Sequence, residues 1–216
     1  MKNVHVVSAA ILMIFCSLAA ANLTQVNLIS QNHIVEGYVD DDPDPKTYYF
    51  ADTDHVSGST SSPFGQASSY TDDLIVAGGT SGGSSSYWAE AKSWYVFNPI
   101  SDTLTLSISQ SCSWSASPSG SWFEYYLKDL ETSEALSSFY GDDDFIWSTQ
   151  VSPNGSYWEY ENQFSVFTNH TYELYLEIHA DAMDGTSVSM TANLIPEPAS
   201  VIMFISGLVL LKRKRQ

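Results

Sequence analysis

The sequence predicts an all-β fold, a single antiparallel β-sandwich of jelly-roll-like type. Three observations carry this expectation. Apolar residues alternate with polar ones in several short runs, as in Leu104, Leu106 and Ile108 against Thr105, Ser107 and Ser109, the period of a half-buried strand. No long amphipathic helix is visible between the two ends of the chain. Aromatic residues make up 13% of the 216 residues, a large supply of apolar area for one core.

The elements follow in order. Met1–Ala21 reads as a secretory signal peptide: Lys2 gives a positive start, Val4–Leu18 is almost wholly apolar, and Ala19–Ala21 supply small residues for cleavage. The apolar run is short of the roughly 20 residues that span a bilayer. From Asn22 to Ser86 short apolar runs (Ile34–Val39, Tyr48–Phe50, Leu74–Ala77) stand among Ser, Thr, Gly and Asp, predicting strands joined by long loops. Gly78–Ser86 reads as a flexible connection and the softest point of the domain. A strand begins at Trp94–Phe97 and breaks at Asn98-Pro99. Alternating runs at Leu104–Ser109, Trp122–Lys128 and Tyr172–His179 follow, with a last strand at Val188–Leu194. Leu130–Leu136 is expected to form a turn or one short helix, and Pro153-Asn154-Gly155 a turn before Tyr157–Tyr160. The expected organisation is a signal at 1–21, a β-sandwich at 22–194 and a terminal segment at 195–216.

Charge excludes one class of partner. The formal net charge is −17, and between the two ends the cations are Lys46, Lys92 and Lys128, with no arginine. Nucleic-acid binding rests on Lys and Arg neutralising phosphates, so nucleic acid is not an expected partner. Such a surface suits solubility outside the cell, cation binding or contact with neutral polysaccharide. Once Cys16 leaves with the signal, Cys112 has no intramolecular partner. The domain then stands on its core without a disulfide; Cys112 is expected buried or half-buried, with pairing between chains the alternative.

The chain ends IPEPASVIMFISGLVLLKRKRQ, Ile195–Gln216. Val201–Leu211 is apolar apart from Ser206 and Gly207, but eleven helical residues reach only about 17 Å against a hydrocarbon core of about 30 Å. Pro196 and Pro198 block a helical extension upstream. Lys212, Arg213, Lys214 and Arg215 act as a stop-transfer cluster and place this end on the cytoplasmic side. The tripartite ending, with Pro196, Glu197 and Pro198 followed by small residues, an apolar stretch and a basic terminus, resembles the PEP-CTERM sorting signal. The resemblance implies recognition by an exosortase in a Gram-negative bacterium that makes extracellular polysaccharide. It also implies transient inner-membrane anchoring after signal-peptidase cleavage, then release or transfer to the surface. Ala89–Leu194 resembles, more diffusely, the β-rich region that often precedes such signals, and it carries no catalytic motif.

Three constellations are candidates for chemistry. Gly79–Gly83, GTSGG, matches GxSxG and makes Ser81 the candidate nucleophile of a secreted serine hydrolase. An elbow of that kind requires a strand, a tight turn and a helix, and Ser84–Ser86 make a poor helix start. For a protease triad, His55 and Asp72 lie too close to Ser81 in sequence. Asp40, Asp42 and Asp44 offer oxygen ligands for Ca²⁺, with Asp142–Asp144 as further donors, although the EF-hand spacing is absent. Trp114, Trp122 and Trp158 are candidates for stacking on sugar rings. The histidines show no zinc spacing. The expectation is a non-enzymatic exported protein of the cell surface or biofilm matrix, associated with extracellular polysaccharide. The alternatives are a carbohydrate-binding module and, behind it, the Ser81 hydrolase.

Overall fold

A computed structural model of the protein describes residues 26–40, 45–62, 65–72, 74–82, 87–115, 120–181 and 185–195. The predicted signal peptide and residues 196–216, with the proposed span 201–211, lie outside the described residues, as do Asp42 and Asp44. No helix among the described residues is long and apolar enough to cross a membrane.

The described residues form two antiparallel sheets packed as a β-sandwich. The strands are β1 (Val26–Val39), β2 (Lys46–Asp52), β3 (Ser57–Ser62), β4 (Gly65–Asp72), β5 (Ile75–Gly82), β6 (Tyr87–Pro99), β7 (Thr103–Trp114), β8 (Trp122–Asp129), β9 (Ala135–Gly141), β10 (Gln150–Ser152), β11 (Gly155–Ser165), β12 (Tyr172–Asp181) and β13 (Thr186–Ile195). One sheet has the order β2-β1-β6-β12-β8-β9, the other β10-β11-β7-β13-β5-β4-β3. The chain changes sheets repeatedly, among other places between β6 and β7 and between β12 and β13. This puts the strands with the clearest alternation at the centre of both sheets.

Alternation decides which side chains meet between the sheets. In β7, Leu104, Leu106 and Ile108 are buried while Thr105, Ser107 and Ser109 are partly exposed. In β12, Tyr172, Leu174, Leu176 and Ile178 point inward. The largest enclosed side chains include Tyr87, Tyr95, Tyr125, Tyr172, Phe97 and Phe123. Tyrosine brings a hydroxyl into the core that needs a partner. Tyr95 accepts from the Leu74 amide at 2.8 Å and donates to the Asp72 carbonyl at 3.1 Å, and Tyr172 accepts from Phe167 N at 2.9 Å. These bonds tie loop backbone to the core.

Several elements differ from the sequence expectation. Gly78–Gly82 form the second half of β5 and are not a flexible connection; a Cβ at Gly78 would stand 2.8 Å from Ile178 Cδ1 and 3.2 Å from the Ala89 carbonyl oxygen. Glycine there permits close approach of the sheets. β3 and β4 occupy a Ser-rich stretch that reads as loop, and β6 runs unbroken through Asn98 to Pro99. Leu130–Glu134 is a turn, and the single short helix among the described residues, α1 (Asp143–Ser148), follows β9 instead. Asp142 caps it by accepting from Phe145 N at 3.0 Å. Cys112 is buried as expected, and burial pushes its thiol up to about 12.

Candidate carbohydrate-binding face

The two outer faces of the sandwich carry different chemistry. On the seven-stranded sheet the outward positions of β7 and β13 are Thr105, Ser107, Ser109, Ser111, Ser187, Ser189 and Thr191, a carpet of short hydroxyls in which Ser111 and Ser189 bond at 2.8 Å. On the six-stranded sheet the outward positions of β6, β12 and β8 are long, aromatic or charged: Trp88, Glu90, Lys92 and Trp94, then Tyr175, Glu177 and His179, then Trp122, Glu124 and Tyr126. Serine and threonine suffice for a solvated face, so this second pattern marks the candidate side.

Register brings these side chains into rows. Glu90 pairs with His179 and His179 with Trp122; Lys92 pairs with Glu177, Glu177 with Glu124 and Glu124 with Tyr140; Trp94 pairs with Tyr175 and Tyr175 with Tyr126. A polar row is thus bordered by aromatic rings on both sides. On one side a chain of rings crosses the sheet, with centroid separations of 6.4 Å for Tyr38–Trp88, 5.6 Å for Trp88–His179, 5.5 Å for His179–Trp122 and 5.7 Å for Trp122–Tyr140. On the other side Tyr175 lies 5.0 Å from both Trp94 and Tyr126. Rings so stacked brace one another, and Tyr140 at the end of the chain is 55% exposed.

The polar row is an acid-rich network around one lysine. Lys92 Nζ contacts Glu90, lies 3.1 Å from Glu177 Oε1 and 3.5 Å from Glu36 Oε1. His179 Nδ1 lies 3.1 Å from the other oxygen of Glu90. Burial by itself pushes the Glu90 carboxyl up, but the hydrogen bonds from His179 and Lys92 outweigh it and hold the group down at about 2. Lys92 is correspondingly held well above its ordinary range by Glu90 and Glu177, against the effect of burial. Tyr175 donates to Glu177, and Tyr126 donates to Glu173 Oε1 at 2.8 Å. The result is a rigid, prearranged surface of ring edges, ring faces and hydrogen-bonding carboxylates.

Of the three tryptophans singled out from sequence, Trp122 alone stands on this face. Trp114 is buried on the inward side of β7, 5.0 Å from Trp147, and Trp158 packs between the sheets against Phe139 at 4.8 Å and Phe123 at 5.7 Å. They fill the core. Trp88, Trp94, Tyr126, Tyr140, Glu90, Glu177 and His179 were missed; the readable signal was the outward register of β6, β8 and β12, where aromatic and acidic residues take the positions that Ser and Thr hold in β7.

Ser81 lies exposed within β5, paired with Gln66 on β4, where an elbow would require a turn. His55 and Asp72 do meet, with Nδ1 and Oδ1 3.3 Å apart. Asp72 pairs with Ile75, however, and Ser81 is six residues further along the strand, roughly 20 Å at the strand rise. His170 and His179 are bonded to Asp129 and Glu90. These contacts assemble no triad on Ser81.

Asp40 directly follows β1, and Asp42 and Asp44 lie outside the described residues. Asp142 and Asp143 accept from the amides of Phe145 and Gly120. Asp129, Glu131 and His170 bring potential metal-ligating atoms within 4.8 Å of one another. Their atoms already serve the fold: Asp129 Oδ1 accepts from the amides of Glu131 and Thr132, Oδ2 lies 2.7 Å from His170 Nδ1, and Glu131 Oε2 accepts from Thr171 N at 2.6 Å. The cluster locks the β8–β9 turn to the start of β12.

No protein-family model and no curated protein matches the chain. Among solved structures it is similar to the enzymatically active domain of bacteriophage CBA120 tailspike protein 4, at 9% identity over 66% of this chain and 20% of that one, with a TM-score of 0.33. It is similar to a β-glucosidase from Kluyveromyces marxianus in complex with glucose, at 10% identity over 76% and 17% of the two chains, TM-score 0.36. A family 11 carbohydrate-binding module from Clostridium thermocellum, in complex with a mixed-linked tetrasaccharide, is 13% identical over 74% of this chain and 95% of that one, TM-score 0.28. The chain spans about a fifth of the length of the first two. At this level of similarity no substrate or activity transfers from them.

Proposed function

We propose that this chain is an exported, non-catalytic protein that holds extracellular polysaccharide on the outer face of its six-stranded sheet. The observation that carries the proposal is the contrast between the central strands of the two outer faces: short hydroxyls on β7 and β13, and on the six-stranded sheet a braced array of Tyr38, Trp88, Trp122, Tyr140, Trp94 and Tyr126 around carboxylates. Ring faces take up the apolar face of a pyranose while carboxylate and hydroxyl groups bond its hydroxyls. The acid-rich surface and its few cations suit a glycan better than a polyanion. Export by a signal peptide and processing of the PEP-CTERM-like tail by an exosortase complete the proposal, with cell surface or biofilm matrix as the destination.

Affinity electrophoresis of the full-length protein through gels containing soluble polysaccharides tests it. Retardation in at least one gel is expected, and reduction of that retardation by Trp94→Ala or Tyr140→Ala with unchanged melting temperature assigns the face. Free migration in every gel overturns the proposal.

A further inference from the structure

Glu124 is the carboxylate of this face that the lysine does not serve. It stands between Trp122 and Tyr126 on β8, with Glu177 opposite on β12 and Tyr140 opposite on β9. Directly opposed side chains in antiparallel strands lie about 5 Å apart at Cβ, and next-but-one neighbours on a strand share a face. Glu124 is therefore framed by three aromatic rings and a second carboxylate. Lys92 lies across Glu177 from it and is engaged by Glu90, Glu177 and Glu36. Lys128, the lysine of β8, pairs in register with Glu173. Among the described residues Glu124 has no hydrogen-bond or ion-pair partner. Burial, and then the Glu177 charge, push its carboxyl above the ordinary carboxylate range. Other groups near this end, Asp142 and Asp143, add negative charge around Tyr140.

A half-buried carboxylate beside another, bordered by aromatic residues, is an arrangement that attracts an organic ammonium. One face of Trp122 is stacked on His179 and one of Tyr126 on Tyr175, which leaves the exposed Tyr140 ring to meet the cation, while the carboxylates offer charge-assisted hydrogen bonds to its N–H groups. A neutral hexose leaves the Glu124 charge uncompensated, and a uronic acid adds repulsion. We propose that Glu124, with Trp122, Tyr126 and Tyr140, binds the ring ammonium of a deacetylated amino sugar, so that the glycan held by this face is a glucosamine-type polycation. This rests on the reading of the face as a glycan platform and specifies its ligand.

The test is titration of the full-length protein, by calorimetry, with oligomers of glucosamine, their fully N-acetylated counterparts, neutral glucan oligomers of the same length, and oligolysine. Glucosamine oligomers are expected to bind roughly tenfold more tightly than N-acetylated ones, the scale of one desolvated cation–π contact. Glu124→Gln is expected to abolish that preference, with binding to N-acetylated oligomers retained. Its melting temperature at pH 7 should match or exceed that of the parent, which shows the loss is not unfolding. Equal binding of glucosamine, N-acetylated and neutral oligomers, unaffected by Glu124→Gln, overturns the ammonium assignment and leaves the glycan platform standing. Preference for oligolysine over the sugar amine overturns the amino-sugar assignment in favour of a peptide ligand. Absence of binding to every glycan overturns both this inference and the proposed function.

Discussion

Gln110 is enclosed at the centre of β7, between Trp158 and Met190 in register, and neither its amide nitrogen nor its oxygen has a hydrogen-bond partner among the described residues. A buried unsatisfied amide costs about 1–3 kcal/mol. Gln110→Met, which keeps the length and removes the polar atoms, is expected to raise stability by about 1 kcal/mol in urea unfolding; a clear loss would mean that the amide is bonded through water. Glu90 makes a pH-dependent contribution. Its carboxyl sits at about 2 in the folded protein against an ordinary 4.5. The stabilisation is therefore complete above about pH 4.5 and is lost as the pH falls through about 2, an effect on the order of 3 kcal/mol. Melting temperature followed from pH 6 to pH 2 should fall, and Glu90→Gln should start lower and fall less steeply. Glu36 and Glu124, whose carboxyls are raised chiefly by burial, act in the opposite sense: each gains stability as it protonates. A steeper decline in Glu90→Gln would exclude Glu90 as the source.

At the level of elements, β5 shows how packing overrides composition. Ile75–Gly82 holds three glycines, Gly78, Gly79 and Gly82, and reads as a loose connection, yet it lies between β4 and β13 with ladders on both sides. The small residues let β5 approach Ala89 of β6 and Ile178 of β12 in the facing sheet. Gly78→Ala is expected to destabilise by about 1–3 kcal/mol, since neither the Ala89 backbone nor the enclosed Ile178 side chain has room to withdraw. Urea unfolding measures this, and an unchanged midpoint would show that the sheets separate freely there. β3 and β4 escape sequence detection for a related reason. Their Ser- and Gly-rich runs gain structure from ladder hydrogen bonds and from one anchored ring, Tyr48, whose hydroxyl bonds Ser69 at 2.7 Å. Periodicity of apolar residues cannot report an element held mainly by its backbone.

Across the whole molecule, the proposed function is divided between a domain and the two terminal segments outside the described residues. The expectation for the tail is direct: mass spectrometry of the mature protein should find a C-terminus upstream of Val201, and deletion of Val201–Gln216 should change its cellular fraction. An intact Lys212–Gln216 end in the mature protein would reject processing. For the domain, period-two alternation of apolar residues was legible along β7, β8 and β12, because burying one face of a strand imposes a local pattern on the chain. The scarcity of cations was legible too, being a matter of composition. The candidate face was not. Trp88, Lys92, Glu177, Glu124 and Tyr140 come from four strands spread over more than fifty residues and meet only through the β6-β12-β8-β9 order and register. Trp114 and Trp158 looked equally available and lie inside, because which side of a strand faces the partner sheet is settled by pairing. The sequence by itself determined that the chain forms two-faced strands. Tertiary structure decided which residues share a face, since neighbours across a sheet are fixed by long-range hydrogen bonds that no local pattern encodes.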